Sequence, residues 1–214
     1  MSTLLLRLAA PLQSWGDSAK FEVRGTGREP TKSGVVGLLA AALGISREDA
    51  DALRPLKELR FGIRAEREGT LLRDFHTAKN AKTAYVTYRD YLSDAVFLAG
   101  MESSDEAYLQ TLLYALRHPV YPLYLGRRSC PVTLPLVLGI RDCDLVTALK
   151  SEPRCTDGSS PAGARIQYDD ENGAPSSKRQ DVPETFSVLH RAHRWRIVTE
   201  EILPSDEHDP MAEL

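Results

Sequence analysis

The chain has 214 residues, 42% of them hydrophobic and 27% charged, with a formal net charge of −3. It is long enough for a substantial core, and its composition is that of a soluble globular protein. The longest apolar stretch, residues 35–45, is too short to cross a bilayer and is broken by Gly37 and Gly44, which argues against a membrane protein. Residues 1–12 lack a basic leader, so no secretory signal is expected. Cys130, Cys143 and Cys155 are odd in number and form no close pair, which fits free thiols in a reducing cytoplasm. Charge is unevenly distributed: residues 1–128 carry 18 Lys and Arg against 15 Asp and Glu, and residues 129–214 carry 9 against 15. A mildly basic leading part permits contact with a polyanion, and a solvated charged surface explains it equally well.

In chain order, Thr3-Leu4-Leu5-Leu6-Arg7-Leu8-Ala9 is an apolar run stopped by Pro11, and it predicts a buried central strand. The loop that follows carries an isolated Trp15. This residue either stacks on a base, as aromatics do in single-strand RNA recognition, or anchors the loop on the core. Residues 17–29 are polar and contain Gly25 and Gly27, which predicts an exposed loop presenting Lys20, Arg24 and Arg28. Residues 30–44 read as a helix with both ends marked, by Thr31 or Ser33 at the start and Gly44 past the end. It is apolar nearly all round and should be buried. Its N-terminus, with Lys32, Ser33 and Gly34, has unpaired N–H groups and partial positive charge suited to phosphate. Ordinary capping of a core helix is the competing explanation.

Ser46-Arg47-Glu48-Asp49 has the form of a capping box opening a short helix through Leu53, ended by Pro55. Residues 59–68 alternate apolar and polar, predicting a half-buried strand with Arg60 and Arg64 on its solvent face and Gly69-Thr70 as its turn. Residues 74–90 are unusual, with Phe75, His76, Lys79, Lys82, Tyr85, Tyr88 and Arg89 but almost no aliphatic side chains. Too polar for core and too aromatic for a linker, they predict a projecting arm or hairpin. Interleaved cations and rings suit the phosphates and bases of a single strand; an ordinary surface loop is the alternative. Residues 92–100 predict another buried strand. Ser104-Asp105-Glu106 opens a helix whose apolar face is Leu109, Leu112, Leu113 and Leu116. Residues 120–125 predict a short edge strand, since Pro122 excludes a central one, leading into Gly126-Arg127-Arg128-Ser129-Cys130-Pro131.

The order strand, helix, strand, arm, strand, helix, strand matches the β-α-β-β-α-β ferredoxin-like pattern shared by the RNA-recognition motif, an α+β class. The expected organisation is a ferredoxin-like RNA-binding domain over residues 1–135, with the arm at about 74–90, and a C-terminal extension over 136–214 packed on it. In the extension a short helix at 144–150 and a last strand at 193–199 are expected. A mobile loop at about 156–182 would surround a weak strand at 164–168, and the acidic tail from Pro204 would fray. His190 and His193 are spaced by three, but no thiol or carboxylate pattern accompanies them, so neither a metal nor another cofactor is expected.

Five motifs together resemble one family. They are Pro11-Leu12-Gln13-Ser14-Trp15-Gly16, Pro30-Thr31-Lys32-Ser33-Gly34 opening Val35-Val36-Gly37-Leu38-Leu39, Arg73-Asp74-Phe75-His76-Thr77, Arg89-Asp90-Tyr91-Leu92-Ser93-Asp94-Ala95 and Tyr124-Leu125-Gly126-Arg127-Arg128-Ser129-Cys130-Pro131. In that order they resemble the CasD branch of the Cas-five family, subunits of the type I-E CRISPR surveillance complex, Cascade, which serves antiviral defence. The resemblance covers roughly residues 4–135 and carries little beyond residue 150.

The resemblance implies a modified RNA-recognition fold with a thumb hairpin. It implies a subunit that caps the 5′ handle of the guide CRISPR RNA and kinks it at the handle–spacer junction. Implied partners are the guide RNA, the large Cascade subunit and the terminal backbone-filament subunit, with target DNA met only indirectly and no membrane. Handle contacts would come from Lys32, Ser33, Gly34, Gly126, Arg127 and Arg128, the two arginines binding phosphates or base edges bidentately. Trp15, Arg24 and Arg28, with His76, Lys79, Lys82, Tyr85 and Tyr88 of the arm, complete the expected RNA-binding set. A related branch, in type I-C systems, cleaves repeat RNA. Metal-independent cleavage needs a base for the 2′-OH and an acid for the leaving oxygen. His76, Lys79 and Tyr85, with Lys82 nearby, are the candidates here, and His118 is a lesser one. In the branch resembled, a separate subunit does the cutting, so a non-catalytic protein is expected; the alternative is a metal-independent endoribonuclease of CRISPR repeat RNA.

Overall fold

A computed structural model of the chain describes residues 1–16, 23–79, 83–170, 177–187 and 192–204. Lys20, Lys82, His190 and the tail beyond residue 204 lie outside the described residues. The strands are β1 (Ser2–Ala9), β2 (Leu12–Gln13), β3 (Val23–Arg24), β4 (Arg60–Arg67), β5 (Thr70–Lys79), β6 (Ala84–Ser93), β7 (Val96–Ser103), β8 (Val137–Arg141), β9 (Arg165–Asp169), β10 (Ser177–Thr185) and β11 (Ala192–Ile202). The helices are α1 (Lys32–Leu43), α2 (Ala50–Glu58), α3 (Glu106–Arg117) and α4 (Leu145–Ser151). Seven strands form one sheet in the order β10-β11-β9-β4-β7-β1-β8, and every pairing in it is antiparallel. A second sheet joins β2, β6 and β3, with β5 paired to β6. The class is α+β.

β1 reads as an apolar run because both its faces are covered. Leu4, Leu6 and Leu8 belong to a core that includes residues of α1, α2 and α3. Leu5 faces the other way, into a second core with Leu98, Leu145, Leu149 and Ile166. α1 sits in the first core with its ends satisfied as its sequence predicts. The Thr31 hydroxyl accepts from the Gly34 N–H, and Gly44 takes φ 75°, donating to the last-turn carbonyls. The Ala41 and Ala42 carbonyls accept N–H bonds from Tyr121 and Val120.

Four expectations are corrected. α2 runs through Pro55 and starts at the Asp49 cap; the buried Leu53 and Leu56 hold it together where the ring removes one N–H. Residues 120–125 form no strand: the Val120 and Tyr121 N–H groups serve the end of α1, and Leu125 N–H closes the turn onto the Cys130 carbonyl. The strand beside β1 is β8 instead. Arg64 is not on a solvent face. α4 and the chain after it cover that face of β4, and the fully buried guanidinium donates to Glu66 and to the carbonyls of Leu149, Glu152 and Pro153. Residues 177–182 are no loop: they open β10, the edge strand of the large sheet. No helix among the described residues is long and apolar enough to cross a membrane.

Candidate nucleic-acid interface

The N-terminus of α1 already holds an anion, and it is internal. Asp181 of β10 accepts the Lys32 backbone N–H at 2.9 Å, so at this N–H the protein itself supplies the anion that suits a helix N-terminus. The Lys32 ammonium is buried and paired with Asp169 of β9 at 2.9 Å. Arg196 of β11 closes the cluster, donating to Asp181 at 2.6 and 3.0 Å and to Asp169 at 2.6 Å, over the ring of Phe61. Burial alone pushes the Asp181 carboxyl up; the hydrogen bonds and charge of Arg196, with the Lys32 N–H and Arg179, outweigh it and hold that carboxyl below the usual range. Lys32 is therefore a buried tie between α1 and the C-terminal strands and does not face a ligand.

Trp15 is also a core residue, 1% exposed, so it is the loop anchor of the two readings. Its indole N–H donates to Gln13 at 3.0 Å, and its ring lies against α1 where Gly34 leaves room; a Cβ there would stand 2.9 Å from the ring. Its backbone pins residues 26 and 27, since Trp15 N–H donates to the Thr26 hydroxyl and its carbonyl accepts from Gly27. The described end of the polar loop, residues 23–29, is thereby held with Arg24 and Arg28 exposed.

The Gly126-Arg127-Arg128 segment is a tight turn closed by Leu125 N–H to Cys130 carbonyl at 2.8 Å and Cys130 N–H to Arg127 carbonyl at 2.9 Å. Gly126, at φ 88°, packs against the backbone carbonyl of Ser14. The close approach it permits is to protein. Arg127 donates to the carbonyls of Asp90, Arg24 and Gly25 at 3.0, 2.7 and 3.2 Å and lies over the Tyr91 ring at 4.7 Å. It joins the arm, the polar loop and the turn. Arg128 is exposed, and its guanidinium makes no hydrogen bond or ion pair among the described residues. Together these pieces wall an open groove of about 2080 Å³. Arg24, Arg127, Arg128, Ser33 and Gly34 line one part of it, and β10 and β11 bring Gln180, His193 and Trp195 to another.

The arm is the β5–β6 hairpin. Its strands pair in register from Thr70 with Ser93 to Lys79 with Ala84. Phe75 packs edge-on against Tyr88 with ring centroids 5.2 Å apart. Phe75 and Tyr85 are 68% and 61% exposed, and Lys79 is exposed as well. At the base, Arg73 pairs with Asp90 at 2.7 Å, and β3 runs parallel to β6, bringing Arg24 beside Arg89. His76 and Tyr85 share one face by strand alternation and Lys79 takes the other, so the three nuclease candidates do not converge. The His76 ring lies 3.7 Å from Asp74. His118 caps the C-terminal end of α3, its ring tilted against that of Tyr114 with centroids 4.4 Å apart.

The family described as CRISPR-associated protein (Cas_Cas5) matches residues 3–199. The chain belongs to the Cas5 family. CRISPR system Cascade subunit CasD of Escherichia coli (strain K12) is 41% identical over 158 residues, covering 64% of this chain and 70% of that protein. A solved CRISPR RNA-guided surveillance complex contains a chain that superposes with a TM-score of 0.80 at 33% identity, covering 95% of this chain and 90% of that one. A crystal structure of a Cas protein superposes with a TM-score of 0.73 at 40% identity, covering 95% and 96%. The Cas5 match runs on through β9 and β10 and into β11, beyond the motifs that carried the resemblance.

What sequence reasoning missed in this Cas5 chain is the second wall of the groove. Residues 193–199 were legible as a strand, but nothing in their pattern says which face meets the groove. The available signal was the second tryptophan, set in a strand between charged neighbours at Arg194 and Arg196.

Proposed function

We propose that this Cas5 chain, a subunit of a CRISPR surveillance complex, is a non-catalytic cap for the guide RNA. It holds the 5′ handle in the groove and kinks the RNA at the handle–spacer junction with the β5–β6 arm. The observation that carries this is the groove itself, where the guanidiniums of Arg24 and Arg128, which have no hydrogen-bond or ion-pair partner among the described residues, line a cleft with Ser33 and Gly34. The arm rises from its edge, because Arg127 and β3 tie the base of β6 to the turn. The strand order β4-β7-β1-β8, with α1 and α3 as crossovers, supports a ferredoxin-like core of the RNA-recognition type. In the complex, the large subunit and the terminal backbone-filament subunit are its neighbours.

The test uses end-labelled repeat RNA and purified protein in EDTA, on native and denaturing gels. Shifted, intact RNA is the expected result. Specific cleavage abolished by His76→Ala would make the protein the nuclease. Arg128→Ala is expected to lose about 1–3 kcal/mol of RNA affinity if it contacts a base edge, or to reduce the salt slope by about 1 if it contacts a phosphate. Arg127→Ala is expected to lose affinity and also to lower the melting temperature, because three backbone carbonyls lose their donor. Unchanged affinity in both variants would remove the turn from the site.

A further inference from the structure

We propose that Trp195 is a base-stacking platform, so that single-stranded RNA held in the groove runs out over the β10–β11 hairpin; this rests on the handle-binding reading. The two tryptophans of the chain have opposite fates. Trp15 is 1% exposed and its indole N–H is satisfied, whereas Trp195 is 58% exposed and its indole N–H has no partner among the described residues. A ring of that size left in water on a paired strand forgoes the free energy that covering it would gain.

The strand holds the ring in place. Arg196 is locked inward by Asp169 and Asp181, and alternation turns Trp195 and Ile197 to the opposite face. Trp195 pairs across the hairpin with Gln180, and Ile197 pairs with Lys178. The ring stands between two depressions: the groove, and a smaller one of about 350 Å³ lined by Lys178, Arg196 and Ile197. The groove that reaches the ring also holds Arg24 and Arg128, and Lys178 lines the smaller depression; none of the three side chains has a hydrogen bond or ion pair among the described residues. Ring faces for bases flanked by cations for phosphates are the chemistry of single-strand binding. Lys178 beside the ring is of a type that the core of a protein–protein contact lacks and that a phosphate backbone calls for.

The test is a fluorescence titration of the full chain with a short single-stranded RNA carrying the 5′ segment processed from the CRISPR repeat. RNA is expected to quench emission, with Trp15 remaining as the shielded background. Trp195→Ala should abolish the quench and weaken binding roughly 5- to 150-fold, the range for one stacked base. Trp195→Phe should restore most of the affinity. The salt dependence of Trp195→Ala should match wild type, since no charge is removed, whereas Arg128→Ala at a phosphate contact flattens it. A quench and an affinity unchanged in Trp195→Ala would overturn the assignment while leaving the groove reading intact. Absence of RNA binding by the wild type would overturn both. Trp195→Ala that binds RNA normally but no longer co-purifies with its Cascade partners would make Trp195 a protein contact and also overturn it.

Discussion

Arg196→Ala is expected to destabilise the protein by about 3–5 kcal/mol, the cost of breaking a buried ion cluster from one side. Asp169 and Asp181 are both buried, and without Arg196 the Lys32 ammonium is the remaining side-chain cation that bonds either. Two buried carboxylates would then keep one bonded side-chain cation among the described residues, Lys32, with Arg179 acting on Asp181 only through its charge. Urea denaturation should show a large fall in midpoint with the slope unchanged. A double variant, Asp181→Asn with Arg196→Met, should recover part of the loss, since it removes one buried charge of each sign. Stability in Arg196→Ala within about 0.5 kcal/mol of wild type would show that the cluster does not hold α1 to the C-terminal strands.

The same cluster sets an acid limit. The folded Asp181 carboxyl titrates below its unfolded value, so its contribution is complete above about pH 4 and is lost as pH falls through the folded value. Stability measured from pH 6 to pH 3 should therefore decline, and the decline should be shallower in Arg196→Ala, where burial without its partner pushes Asp181 up. An identical pH profile in both proteins would remove Asp181 from the acid response.

Gly126→Ala is expected to be the most disruptive single change at the groove. At φ 88° a side chain is strained by about 1–3 kcal/mol, and here the added Cβ would also fall on the Ser14 carbonyl oxygen. The turn must move away from Ser14, breaking the Ser14 N–H bond to the Leu125 carbonyl and displacing both arginines. A drop of roughly 3 kcal/mol or more is expected, with RNA affinity lost together with stability. Arg128→Ala should by contrast lose affinity alone, because its exposed side chain makes no hydrogen bond or ion pair among the described residues. Melting curves and RNA titrations on the two variants separate them.

Local pattern carried much of this molecule. The run around Leu5, the caps at Thr31 and Gly44, the helix through Leu109 and Leu112 and the aromatic arm all depend on neighbours a few residues away, so periodicity and turn chemistry reveal them. The motifs at Gln13, Gly34 and Gly126 likewise led to the right family. What the sequence by itself determined was therefore most of the elements from β1 to α3 and the family. The tertiary structure alone decided which polar groups are free. Lys32 and Arg64 look like surface cations in any local window, and both are buried because strands or a helix more than 80 residues away bring carboxylates or carbonyls to them. Trp195, in a strand with no mark of its partner, is left in the open by the same long-range pairing. Exposure is a property of what packs across the sheet, and that information lies in distant residues rather than in the local pattern.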